Sequence, residues 1–221
     1  MSIRATNPPR HPARALAGLL LLALLAMAGP AGAACDDPPG PGVNWRECDK
    51  HGADLQRADL RGAILTRANL AGADLRRARL SGADLDFADL REARLAESRL
   101  DEARLVSADL REATLDRALL DRARLDRARL EQASLQGARL HEAVLYQTVL
   151  DGADLRGADL KAAELNQASL VGADLRKAHL PEATLQQAVL EEAQLQEAAL
   201  RKPDLEGAML AYADLGGADL T

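Results

Sequence analysis

The chain has 221 residues, of which 48% are hydrophobic and 28% charged, with a formal net charge of −6. Aromatics make up only 2% (one Trp, one Phe, two Tyr), so any core must be filled by Ala and Leu, which excludes most ring-filled globular folds of this length. Two cysteines are too few for a disulfide-built scaffold or a four-cysteine metal site.

In chain order, Arg4, Arg10 and Arg14 precede an apolar run from Ala15 to Ala28, which Gly29 and Pro30 end. A membrane-spanning helix takes about 20 residues, so the run is too short to cross a bilayer but suits the core of a signal peptide. Ala31-Gly32-Ala33 supplies the small-x-small site a signal peptidase accepts. Residues 1–33 are therefore expected to be a signal peptide cut near Ala33 or Ala34, and the mature chain to be exported, periplasmic or secreted. A buried helix of a cytosolic domain is the alternative. Lipidation of Cys35 is less favoured, because Gly32 stands where such sites usually carry Leu. Loss of three arginines leaves 25 basic against 34 acidic residues, a net charge of −9. Residues 151–221, with 13 acids and 6 bases, supply −7 of it.

Cys35 and Cys48 flank the Pro- and Gly-rich stretch Asp36–Gly42, followed by the lone Trp45. In an oxidising compartment two cysteines 13 apart can close a small loop, a bridge worth about 3 kcal/mol in the loop-entropy model. Residues 34–50 are expected to form an N-terminal cap, with Trp45 lying on the first coil of the repeat region.

From position 55 to 220 every fifth residue is Leu, 34 in all, and the residue two before it is Ala in 31 cases, with Ser98, Thr148 and Pro203 the exceptions. Such a period has to be recognised before any element is assigned. Ala, Leu, Glu and Arg are all helix formers. A five-residue step nevertheless turns about 140° around a helix, so the leucines would spiral instead of forming a face. A coiled coil needs a 3.5-residue repeat. Period outranks propensity. Ala–variable–Leu reads instead as a short strand, Ala and Leu pointing in and the variable residue out, followed by a two-residue corner that often ends in Gly. Repetition gives an all-β solenoid whose stacked coils satisfy one another's backbone groups.

Ala53-Asp54-Leu55, Ala58-Asp59-Leu60, Ala73-Asp74-Leu75, Ala153-Asp154-Leu155 and Ala218-Asp219-Leu220 resemble the A(D/N)LXX unit of the pentapeptide repeat proteins. The resemblance covers residues 51–221 and implies a right-handed quadrilateral β-helix with four units per coil, hence about 8.5 coils. The five-residue period alone does not distinguish four sides from three.

With four units per coil the outward positions fall into four ladders, beginning at Asp54, Asp59, Ile64 and Asn69. An Arg belt (Arg79, Arg99, Arg104, Arg124, Arg129, Arg139) crosses the middle, interleaved with Asp116, Asp121, Asp126 and Glu131, and reads as a solvated mixed-charge surface more readily than as a grip for an anionic polymer. Neighbouring pairs such as Asp154 and Asp174 have the chemistry of Ca²⁺ ligands. The preferred reading is that Asp serves the repeat's own backbone. Apolar outward residues gather later, at Val144, Tyr146, Val149, Val189 and Met209, as a candidate contact patch. His51, His141 and His179 show no metal or catalytic spacing, so no cofactor, metal or catalytic group is expected. Leu215 and Leu220 in the last repeats are expected to lie on an uncovered end where two molecules meet end to end.

The expected function is a non-enzymatic exported scaffold or binding module that presents a rigid surface to a protein or envelope partner, with no nucleic acid bound and no membrane span. The resemblance also implies an alternative, a mimic of duplex DNA that shields a topoisomerase. That role requires a cytosolic chain and a continuous acidic surface.

Overall fold

The computed structural model describes residues 34–221, so the signal peptide expected at residues 1–33 lies outside the described residues. Every fifth residue pairs in parallel with the residue 20 positions later, from Asn44 with Ile64 to Ala199 with Asp219. That step holds four five-residue units, so the coil has four sides, and the outward residues form the four expected ladders.

Each unit disposes of its five backbone amides in a fixed way. In one of them, Leu55 N–H donates to Asp74 C=O of the next coil (2.8 Å), and Asp74 N–H donates back to Ala53 C=O (2.9 Å). Arg57 N–H, at the corner, donates to Arg76 C=O (3.0 Å), and Ala58 N–H closes the turn onto Leu55 C=O (3.0 Å). The fifth amide, on the first corner residue, has no backbone partner and is left to a side chain or to solvent. Asp54 does so, accepting from Gln56 N–H at 3.2 Å, and Asp59, Asp74, Asp89, Asp109, Asp154 and Asp174 each do the same two residues on. This is why Asp and Asn recur at the outward position: a short side chain with an acceptor oxygen closes an Asx-turn there.

The second corner residue is left-handed throughout, at φ between 52° and 72°. Glycine is free of strain there, which accounts for Gly62, Gly72 and Gly82, yet Arg, Glu and Gln fill most of the corners. The side chain at a square corner points into open solvent, and the coil-to-coil bond holds the conformation in place.

Inside, the leucines from Leu60 to Leu200 and the alanines between them are buried, stacked in register with no polar layer except Ser98 and Thr148. Thr148 donates from Oγ1 to Leu125 C=O at 2.7 Å, whereas the Ser98 hydroxyl is buried with no partner among the described residues.

The bridge ladder continues below the expected boundary at residue 50. The ladder begins at Asn44, so residues 41–50 already follow the coil and only residues 34–40 stand apart from it. Val43 and Cys48 occupy the Ala slot, and Trp45 and Lys50 the Leu slot. Trp45 thus lies inside the first coil, 1% exposed, and not upon it. A ring fits an interior otherwise made of Ala and Leu because no full coil of the described residues lies beneath it. At the other end Leu205, Leu210 and Leu215 are partly exposed and Leu220 is 48% exposed.

Candidate functional site

The outward residues carry charge in a second pattern superimposed on the repeat. Where Asp holds the outward position and Arg the first corner, the two form a bidentate pair: Arg76 donates through Nε and Nη2 to the two Asp74 oxygens at 2.8 and 2.6 Å. Arg61–Asp59, Arg91–Asp89, Arg111–Asp109, Arg156–Asp154 and Arg176–Asp174 repeat the arrangement. The same carboxylate therefore closes the turn and binds the guanidinium. Asp74 is 3% exposed and also meets Arg94 of the next coil at 3.0 Å. The hydrogen bonds from Arg76 hold its carboxyl below the usual carboxylate range, against burial that pushes it up.

Over the Arg belt the pattern inverts. Arg99, Arg124 and Arg129 sit outward and pair with the corner acids Asp101, Asp126 and Glu131. Arg79 reaches Asp59, Arg104 reaches Asp86, and Arg139 reaches Asp121 in the preceding coil. All six belt arginines are paired, so the belt is a mixed-charge surface. At four units without an outward Asp the turn amide is satisfied from the coil below. Asp86 accepts from Val106 N–H (2.9 Å), Asp116 from Gln136 N–H (3.1 Å), Asp151 from Val171 N–H (3.1 Å) and Asn166 from Gln186 N–H (2.9 Å). In these four coils the outward residue is Arg104, Ser134, Ser169 or Thr184. Asp116 therefore serves Ser134 and a turn rather than neutralising the belt, the role expected of it.

Asp154 and Asp174, considered as Ca²⁺ ligands, turn their oxygens to Arg156, Arg176 and Gln136. Among the described residues no group of three or more His, Cys, Asp or Glu could hold a metal ion. A corner notch of about 420 Å³ lies between Arg156, Gly157, Arg176 and Lys177. Both of its arginines already grip carboxylates.

The candidate patch resolves into a strip. Val149, Val189 and Met209 share one ladder, interrupted by Ser169, while Val144 stands on the adjacent ladder and Tyr146 at the corner between them. The three valines are partly exposed and Met209 is 49% exposed. Tyr146 Oη–H donates to Gln167 Oε1 (3.0 Å), which also accepts from Gln147 Nε2 (2.9 Å), and Gln167 Nε2 donates on to Gln187 (3.1 Å). The valine ladder thus runs beside a corner column of hydrogen-bonded amides. Sequence reading found the apolar residues but missed this column, whose signal is Gln at 147, 167 and 187, one coil apart.

Cys35 and Cys48 are joined in a disulfide. Leu215 and Leu220 lie in the terminal coil, and the bond that Leu200 N–H makes to Asp219 C=O has no counterpart at either among the described residues. Among the described residues no helix is long and apolar enough to cross a membrane.

The family model for pentapeptide repeats matches in eight copies, and the matched residues run from 53 to 221. Among solved structures the chain is similar to HetL, a pentapeptide repeat protein involved in heterocyst differentiation regulation from the cyanobacterium Nostoc sp. strain PCC 7120. The two are 38% identical over 76% of this chain and 87% of HetL, with a TM-score of 0.37. It is similar in fold to full-length QnrB1, a plasmid-mediated fluoroquinolone resistance protein, at 17% identity and a TM-score of 0.55 over 77% of this chain and 90% of that one. No curated protein matches the sequence. No enzyme family is indicated by these matches. The chain belongs to the pentapeptide repeat family, whose members fold as right-handed quadrilateral β-helices.

Proposed function

We propose that this chain is an exported, non-enzymatic binding scaffold, a rod of about 8.5 coils over residues 51–221 and about 40 Å long, which meets a protein partner through the strip Val144, Tyr146, Val149, Val189 and Met209. The observation that carries this reading is the contrast between surfaces. The Asp and Arg side chains of the first two ladders are largely engaged with one another and with turn amides. The strip is uncharged at these five positions and leaves its valines partly open. Apolar side chains beside a column of amides, with Tyr at the edge, have the composition that favours protein contact over solvation. Export is supported by the leader-like residues 1–33 and is consistent with the disulfide. End-to-end homodimerisation through Leu215 and Leu220 is supported by the part-exposed leucines of the last coil.

The DNA-mimic alternative gains no support from the surface, because mimicry requires free carboxylates and six outward aspartates are held bidentately by arginine. A photo-crosslinking residue placed at Val149 should yield one discrete adduct in the envelope fraction, abolished by Val189→Glu and absent when the probe stands at Arg94. Equal labelling from both positions would refute the strip. Sedimentation at micromolar concentration tests the homodimer, and a monomer there would refute it.

A further inference from the structure

We propose that residues 34–40 form a redox-latched lid on the N-terminal end of the β-helix, opened by thiol–disulfide exchange at Cys35. The two ends of the core differ. Leucines at the C-terminal end are partly exposed, whereas Trp45, in the lowest Leu slot, is 1% exposed and Cys48 2% exposed. Residues 34–40 lie against this lower end, and Lys50 replaces the leucine expected in its slot. The Lys50 ammonium stands 4.1 Å from the centroid of the Trp45 ring and donates to Cys35 C=O at 2.6 Å. Trp45 Nε1–H donates to Asp37 C=O at 3.2 Å, and Ala34 N–H to Asn44 C=O at 3.1 Å.

Among the described residues, the disulfide and these three hydrogen bonds hold the segment down. Ala34 to Pro39 are all exposed and bury little apolar surface of their own. Once the covalent tie is cut, three hydrogen bonds oppose the conformational freedom of the whole segment 34–40, so it is released. The coils above keep their own nearest-neighbour contacts, as expected for a solenoid whose stability is local.

The exchange has a defined direction. Cys35 is exposed and Cys48 buried, so one thiolate of a dithiol reductant attacks Cys35 Sγ and expels the Cys48 thiolate, which takes a proton from solvent. The second thiol of the reductant then attacks the mixed disulfide, its own disulfide forms, and Cys35 leaves as a thiol. Two electrons pass from the dithiol to the protein.

Trp45 is the only tryptophan, so the indole emission comes entirely from the slot beneath which the lid lies. In the full chain, excess dithiothreitol should shift Trp45 emission to the red and raise its quenching by acrylamide several-fold. The change should keep step with the alkylation of two thiols, and the far-UV circular dichroism should be retained. Cys35→Ser should show the opened spectrum without reductant and no response to it. The proposal fails if both thiols are alkylated with emission unchanged, or if emission shifts only as the far-UV signal collapses. It fails also if the disulfide resists excess dithiothreitol, or if Cys35→Ser keeps the spectrum of the oxidised chain.

Discussion

Ser98 and Thr148 occupy the same inward slot that is Ala in almost every other repeat, yet truncating each to Ala should move stability in opposite directions. Ser98 is 0% exposed and its hydroxyl has no hydrogen-bond partner among the described residues. Leaving a hydroxyl buried and unpaired costs about 1–3 kcal/mol, and the dispersion attraction of a single oxygen is worth only a few tenths. Ser98→Ala should therefore stabilise by about 1–2 kcal/mol, or raise the thermal midpoint by roughly 2–8 °C for a chain of this size. Thr148 Oγ1 donates to Leu125 C=O at 2.7 Å, and its methyl fills space in the stack. The Leu125 carbonyl keeps its turn bond from Ala128 N–H (2.9 Å) when the hydroxyl goes, so no acceptor is stranded. Thr148→Ala should then cost about 1–2 kcal/mol, from one net hydrogen bond and one methyl. Thermal and urea midpoints followed by far-UV circular dichroism would compare the two variants with the parent. A lower midpoint for Ser98→Ala, or shifts of the same sign in both, would refute this account of the two buried hydroxyls.

The turn-amide rule predicts a rescue: Asp116→Ala strips the acceptor from Gln136 N–H and Ser134 Oγ–H and should cost about 1–2 kcal/mol, while adding Ser134→Asp restores an acceptor two residues before the amide and recovers part of it. Urea midpoints of the single and double variants decide this, and no recovery would contradict the rule. Leu130→Ala, at 0% exposure, should cost about 2–5 kcal/mol, and Leu215→Ala in the part-exposed last coil markedly less; equal losses in the same assay would contradict the difference between the two ends. Guanidinium hydrogen bonds from Arg76, Arg91, Arg156 and Arg176 lower the carboxyl pKa of Asp74, Asp89, Asp154 and Asp174 in the folded chain. Their contribution is complete above the unfolded value of about 3.9 and is lost as pH falls through the folded values. Stability from these pairs should thus hold from pH 7 to about 5 and fall below about 4, and a decline already complete at pH 5 would contradict the assignment.

Much of the architecture is legible in the sequence because Leu recurs without a break from 55 to 220 and the inward positions depend on spacing alone. The four-unit coil is not contained in that spacing. It follows from the family resemblance, and Asn44 paired with Ile64 shows it directly. The start of the helix escaped sequence reading because Trp45 and Lys50 stand where the eye looks for Leu, although Val43 and Cys48 keep the spacing. The ion pairs of Asp-Leu-Arg and Arg-Leu-Asp units, and the acceptors Asp86, Asp116, Asp151 and Asn166, were hidden for another reason. They link residues two apart around a corner or 18 to 20 apart across coils, and such proximity is visible only once the corner geometry is known.

Intact mass of the protein recovered from separate cell fractions tests the exported scaffold most directly. The expected species begins near Ala34, is found outside the cytosol and weighs two hydrogens less than its reduced form, with Cys35 and Cys48 joined. A full-length, reduced chain in the cytosol would contradict export and return the DNA-mimic alternative to first place.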